Sequence, residues 1–114
     1  MEDKDLKVLQ ALPTPSTVRV IDFETAEVVP GFLPKTFFLI VTGIKPMLTM
    51  KVELVPLVYI RQPDYWGIEV IGSQSGIGLP VTAPYHVALD ISHVLGTDGI
   101  EVIGAHRREK IKVP

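Results

Sequence analysis

The sequence predicts an all-β fold: a small β-sandwich or flattened barrel of about six to eight mostly antiparallel strands. Three observations lead there. Ten prolines and nine glycines in 114 residues cut the chain into short pieces, which suits strands and turns better than long helices. The stretches between them are rich in Val, Ile and Thr, often in alternation with other residues. The hexapeptide Gly-Ile-Glu-Val-Ile-Gly occurs twice, at 67–72 and at 99–104, and each copy has the period-two pattern of a strand.

Taken from the start, residues 1–16 read as a terminal segment that is partly ordered at best, and 17–114 as one β domain. The first residues are charged, then weakly apolar at Leu6, Val8, Leu9 and Leu12, before Pro13-Thr14-Pro15 breaks the chain. Residues 17–23 (TVRVIDF) carry the first β signal. Pro30 and Pro34 bracket a turn at Gly31. Residues 36–44 form an apolar run whose length suits a strand covered on both faces. Residues 50–60 read as the next strand. Pro56 lies inside it and has no N–H for a ladder, so this strand belongs on an edge or bends there. Residues 65–73 carry the first hexapeptide, and 73–83 form a Gly- and Ser-containing connection.

Residues 85–95 fit two patterns. Val87, Leu89 and Ile91 alternate as in a strand; Val87, Ile91, Val94 and Leu95 also fit helical spacing, with Gly96 placed as a cap. The offset between the hexapeptides decides for the strand. Carried backwards, it lays Val55 on Val87, Leu57 on Leu89 and Tyr59 on Ile91. A strand over 85–91 followed by one turn at 92–96 is therefore expected. The repeat then reads as a duplicated β-hairpin, each hexapeptide being its second arm. The hexapeptide glycines fall where a turn or a strand end is expected. Thr97-Asp98-Gly99 is a turn signal, and Ile111 and Val113 alternate in a last strand.

Composition excludes several functions. A net charge of -2 gives no basic footprint for nucleic acid. The absence of cysteine removes disulfides, thiolate catalysis and Cys-based zinc sites. The longest unbroken apolar run, 37–41, is far short of a membrane helix, so no membrane partner is expected. The acidic start Met1-Glu2-Asp3-Lys4-Asp5 lacks the pattern of a secretory signal, and the expected location is the cytoplasm.

Three chemical readings compete. His86, His106 and Asp90 would form a two-histidine, one-carboxylate cluster if 85–91 paired with the second hexapeptide strand. Such a cluster holds iron or zinc and would make a small metal-dependent barrel enzyme. The spacing matches no metal motif, however, and ordinary surface histidines explain it as well. Six carboxylates, Asp22 and Glu69 among them, stand in no recognisable catalytic context, and Ser73 or Ser75 lacks a nucleophile elbow. Gly76-Ile77-Gly78 lacks the lysine and helix start of a phosphate cradle. Tyr65 and Trp66, beside a turn, would suit a carbohydrate-binding module, unless Trp66 folds back over the sheet. The cluster His106-Arg107-Arg108-Glu109-Lys110 reads as a solvated strand end.

The remaining reading is a non-enzymatic interaction or self-assembly module, with no cofactor. Ile71 and Ile103 sit on the same strand faces as Glu69 and Glu101, where a wet sheet face would carry polar residues. From Pro30 to Ile100 only nine side chains are charged. Such a centre risks exposed apolar patches, which a homo-oligomer or a protein partner would cover. Ile71 and Ile103 are the expected contact residues.

Overall fold

The computed structural model describes residues 16–114. They form β1 (Ser16–Val20), β2 (Thr25–Pro30), β3 (Phe37–Lys45), β4 (Lys51–Pro56), β5 (Tyr65–Ser75), β6 (Ala83–Asp90), β7 (Gly99–Ile103) and β8 (Arg108–Lys112). Strands β1, β4, β5, β7 and β8 make one sheet, and β2, β3 and β6 make the other. All pairings are antiparallel except that of β5 with β7. The expectation for the N-terminal segment falls on residues outside the described ones, save Ser16, which opens β1.

The two sheets face each other through alternating side chains. On the small sheet Val28, Leu39 and Leu89 form one inward row, and Ala26, Val41 and Val87 the next. On the large sheet Ile68 and Val70 of β5 point in beside Ile100 and Val102 of β7, all fully buried. β5 is the centre of that sheet. β4 borders one of its edges, while β7 and β1 share the other, β7 along residues 65–69 and β1 along 71–75.

Several expectations change here. There is no duplicated hairpin. β4 and β5 do pair as neighbours, but β6 crosses to the small sheet and pairs with β3, from Phe38↔Asp90 to Lys45↔Ala83. Its excursion is the crossover that parallel neighbours require, and it returns the chain so that β7 lies parallel to β5. The two hexapeptides therefore lie side by side, with Gly67 opposite Glu101 and Ile68 opposite Val102. They are staggered by two residues from like-on-like alignment. Because two is even, the inward face is preserved. The repeat encodes two neighbouring strands of one buried sheet.

β3 is covered mainly on one face, since Leu39 and Val41 are fully buried while Phe38 is exposed. The first β run divides in two. β1 stops at Val20, the chain passes from one sheet to the other at 21–24, and β2 begins at Thr25. Ile21 and Phe23 are buried in that passage. β4 is an edge strand and ends at Pro56, as the missing N–H demands. Beyond it, Leu57 N still donates to Gly67 O at 2.9 Å, and Tyr59 folds back so that its hydroxyl accepts from Gly67 N at 3.1 Å. The ambiguous 85–95 segment is a strand to Asp90, followed by a turn.

Candidate functional site

The passage at 21–24 gathers the polar side chains of the molecule. The Asp22 carboxylate accepts from His106 N through Oδ1 at 2.6 Å, and its Oδ2 lies 2.9 Å from His106 Nδ1. These bonds hold its carboxyl below the ordinary value of 3.8. Tyr85, on β6 of the other sheet, donates its hydroxyl to Asp22 O at 2.7 Å. Burial, with the charges of Asp22 and Glu24 nearby, pushes that phenol up to about 12. Arg107 donates to Phe23 O at 3.1 Å and Glu24 O at 2.6 Å, pairs with Glu109 at 2.9 Å, and lies 4.6 Å over the Phe23 ring. One passage is thus tied to both sheets by three side chains.

A cleft of about 280 Å³ opens beside it, lined by Arg19, Asp22, Ile44, Pro46 and His106 among others. An aspartate–histidine pair moves protons for a nucleophile. Among the described residues no serine, threonine or cysteine side chain lines this cleft. The evident work of the Asp22–His106 pair is to hold the 104–107 turn against the passage. Sequence reading did not find the partnership, because Asp22 and His106 are 84 positions apart and no local pattern signals it.

The three residues of the metal reading are not brought together. His86 is exposed on β6 opposite Thr42, on the small sheet, while His106 belongs to the β7–β8 turn of the large one. The strand pairing that would have joined them does not form, because β6 pairs with β3. Asp90 is used locally: Ser92 N and Oγ both donate to its Oδ1, at 2.9 and 2.6 Å, in the turn that ends β6. Among the described residues no three His, Asp or Glu side chains form a metal-sized group.

Trp66 is half-buried. Its Nε1 donates to Leu57 O at 2.9 Å, and its ring meets Tyr59 edge-on at 5.3 Å. Tyr65 projects to the opposite face, with the Lys110 ammonium 5.1 Å from its ring. The two aromatics therefore do not form a shared stacking platform.

No family model, curated protein or solved structure matches this chain. Its surface has to be read from its own chemistry.

Ile103 is 8% exposed, and its Cδ1 converges with Leu57 and Tyr59 on the bare face of Gly67. The apolar outer position is covered by the chain's own 57–60 segment. A docked partner has no access to Ile103 while that segment is in place. Ile71 is half-buried between Val20 and Glu53.

The freely exposed apolar side chains lie elsewhere, mainly in the loops at the two ends of the sandwich. At one pole the 31–36 turn, the 57–64 connection and the 91–98 connection meet, held by Ile91 N to Phe37 O at 3.0 Å and Thr97 N to Pro63 O at 2.9 Å. Phe32, Val58 and Ile60 are there, exposed at 109%, 96% and 104%. Phe32, Leu33, Thr36, Phe38 and Asp90 line a notch of about 200 Å³. At the opposite pole the 46–50 and 76–82 connections are joined by Leu48 N to Leu79 O at 3.3 Å. Ile77 is fully exposed there, and Leu48, Leu79 and Val81 are about half exposed. Sequence reading detected the shortage of central charge but placed its consequence on strand faces. The loops, read only as turns, carry it.

Proposed function

We propose that this chain is a non-enzymatic β-sandwich module that self-associates through apolar loop surfaces. The observation that supports this is the set of large apolar side chains held out into solvent at both poles, Phe32, Val58, Ile60 and Ile77 above all. Scattered single apolar residues are ordinary on a protein surface; several concentrated in adjoining loops mark a contact surface. The chain spends its polar chemistry internally: Asp22, His106, Tyr85, Arg107 and Asp90 all hold turns or passages in place.

Sedimentation velocity over a wide concentration range tests the reading. A weight-average mass that rises with concentration supports it, and a monomer at every concentration opposes it. Phe32→Lys and Ile77→Lys are the informative variants, because both side chains lie in solvent and their replacement leaves the core untouched.

A further inference from the structure

We infer that two copies join along the free edge of β6, paired antiparallel about a two-fold axis at Ala88, so that His86 of each copy lies opposite Asp90 of the other. This rests on the self-association proposed above and supplies the seam around which the loops gather.

The main chain shows what β6 has to offer. In an antiparallel ladder, residues that exchange hydrogen bonds alternate with residues that do not. Ile91 N donates to Phe37 O at 3.0 Å, so Leu89, Val87 and Tyr85 also bond across to β3. His86, Ala88 and Asp90 then turn their N–H and C=O groups away from β3, toward the open side of the sheet. Among the described residues no strand pairs with that side. The side chains of the same three residues stand on the solvent face. Val87 and Leu89 point inward yet stay partly exposed, while their ladder neighbours Val41 and Leu39 are fully buried. The sandwich is open along β6.

The other edges differ. β8 reads Arg-Glu-Lys-Ile-Lys, β4 carries Lys51, Glu53 and Pro56, and β2 carries Glu27 and Pro30. Charges and prolines of this kind discourage pairing with a further strand. β1 is short, carries Arg19 and continues directly from residues 1–15, outside the described ones. β6 is eight residues long, and between Pro84 near its start and Asp90 at its end it has no Asp, Glu, Lys or Arg.

Complementarity selects both the partner and the register. With Ala88 on the axis, every outward N–H of one β6 meets a carbonyl of the other: Ala88 pairs with its own copy, and His86 with Asp90. The side chains of these pairs share one face. A methyl meets a methyl at the centre, and an imidazole meets a carboxylate on either side. The carboxylate is already oriented, because both Ser92 bonds fall on Asp90 Oδ1 and leave Oδ2 to accept. An axis moved to Val87 would set Pro84 opposite Asp90, which leaves Asp90 O without a donor and the carboxylate without the imidazole. β4, which packs beside β6 from the other sheet, adds no net charge, since Lys51 and Glu53 pair at 3.1 Å. A patch that meets its own copy is isologous, so the contact closes at a dimer. β6 starts at the 76–82 pole and ends at the 31–36 pole. The two-fold therefore gathers apolar loops of unlike poles at both ends of the seam.

The chain has no cysteine, so single cysteines read the seam directly. Positions 86 and 88 are both exposed, and their replacement leaves the core untouched. Ala88→Cys treated with diamide is expected to give a covalent dimer at concentrations where wild type associates, because Cα atoms paired on the axis lie about 5.5 Å apart, within disulfide reach. His86→Cys is expected to give none, its two copies being displaced in opposite directions along the seam. In sedimentation, His86→Asp sets carboxylate against carboxylate at both pairs and should associate about tenfold more weakly. His86→Lys, with a fixed cation facing Asp90, should keep the association. No crosslink at 88, a crosslink at 86, or a His86→Asp that associates like wild type overturns the seam, while self-association through the loops would still stand. A wild-type monomer at every concentration overturns both. Association that appears only after removal of residues 1–15 also overturns the proposal, and makes that segment the occupant of the β6 edge.

Discussion

Tyr85 reaches from β6 of the small sheet to donate its hydroxyl to the main-chain oxygen of Asp22, 2.7 Å away in the passage that leaves the large sheet. The ring lies flat over Gly43, its neighbour across the ladder, where any side chain would strike it. One phenol thus fills the space over a glycine and satisfies a carbonyl that no strand partner serves. Tyr85→Phe keeps the ring and removes the bond. Denaturant unfolding is expected to show a loss of about 1 kcal/mol, with an unchanged slope.

The same group predicts an alkaline limit. A phenol raised to about 12 in the folded chain and ordinary, near 10.0, in the unfolded one stabilises the fold fully below 10. That contribution is lost as the pH climbs through the native value. Absorbance titration of wild type should show a late phenolate step near 12 that Tyr85→Phe lacks.

Asp22 sets the opposite limit. Its carboxyl is held below 3.8 by the His106 main-chain and side-chain bonds, so the contribution is complete above 3.8 and drains away as the pH falls through the lowered native value. Asp22→Asn should be less stable than wild type at neutral pH. The gap between the two should close in acid, below the range where the wild-type carboxylate is protonated. A gap that stayed constant down to full protonation would mean that the His106 contacts are not what Asp22 contributes.

The hexapeptides offer a comparison of equal letters in unequal places. A Cβ on Gly67 would meet Leu57, Tyr59 and Ile103 at 2.8 to 3.0 Å, all side chains that are able to shift. A Cβ on Gly99 would run into the main chain of β8 at Ile111, which has nowhere to go. Gly67→Ala should cost about 1–2 kcal/mol as an overpacking change. Gly99→Ala should cost clearly more. Equal losses in thermal unfolding would show that the close approach of β7 and β8 is not what requires Gly99.

Ile103 and Ile71 diverge in the same way. Ile103→Lys drives a charge under Leu57 and Tyr59, beside its cross-strand neighbour Glu69, and burial of the ammonium should outweigh that pairing and cost about 2–3 kcal/mol. Ile71→Lys places its ammonium next to Glu53 at the surface and should be tolerated. The readout is the unfolding midpoint of each variant, and equal midpoints would show that the 57–60 segment does not seal Ile103.

The fold class was legible because its determinants are local. Alternation in 65–73 and 85–91, the proline at 56 and the turn residues at 30–34 each act within a few positions, and the structure places strands and turns there. Topology was not legible, because the hexapeptide repeat records what a strand needs in order to sit inside a sheet, and says nothing of which strand lies beside it. Ile68 and Ile100 share an environment while their preceding strands lie in different sheets. The Asp22–His106 tie was invisible for the same reason: each residue alone looks like a polar group near a turn. The exposed loops were partly legible. The charge-free stretch 70–89 signals surplus apolar surface, but only the folded chain shows Ile77 and Leu79 outside and Ile103 inside.

The most direct test of the self-association reading is the sedimentation-velocity profile of the wild-type chain across a hundredfold range of concentration. The account predicts a weight-average sedimentation coefficient that climbs with concentration, and falls to the monomer value in both Phe32→Lys and Ile77→Lys. A single monomer boundary at the highest concentration would contradict it.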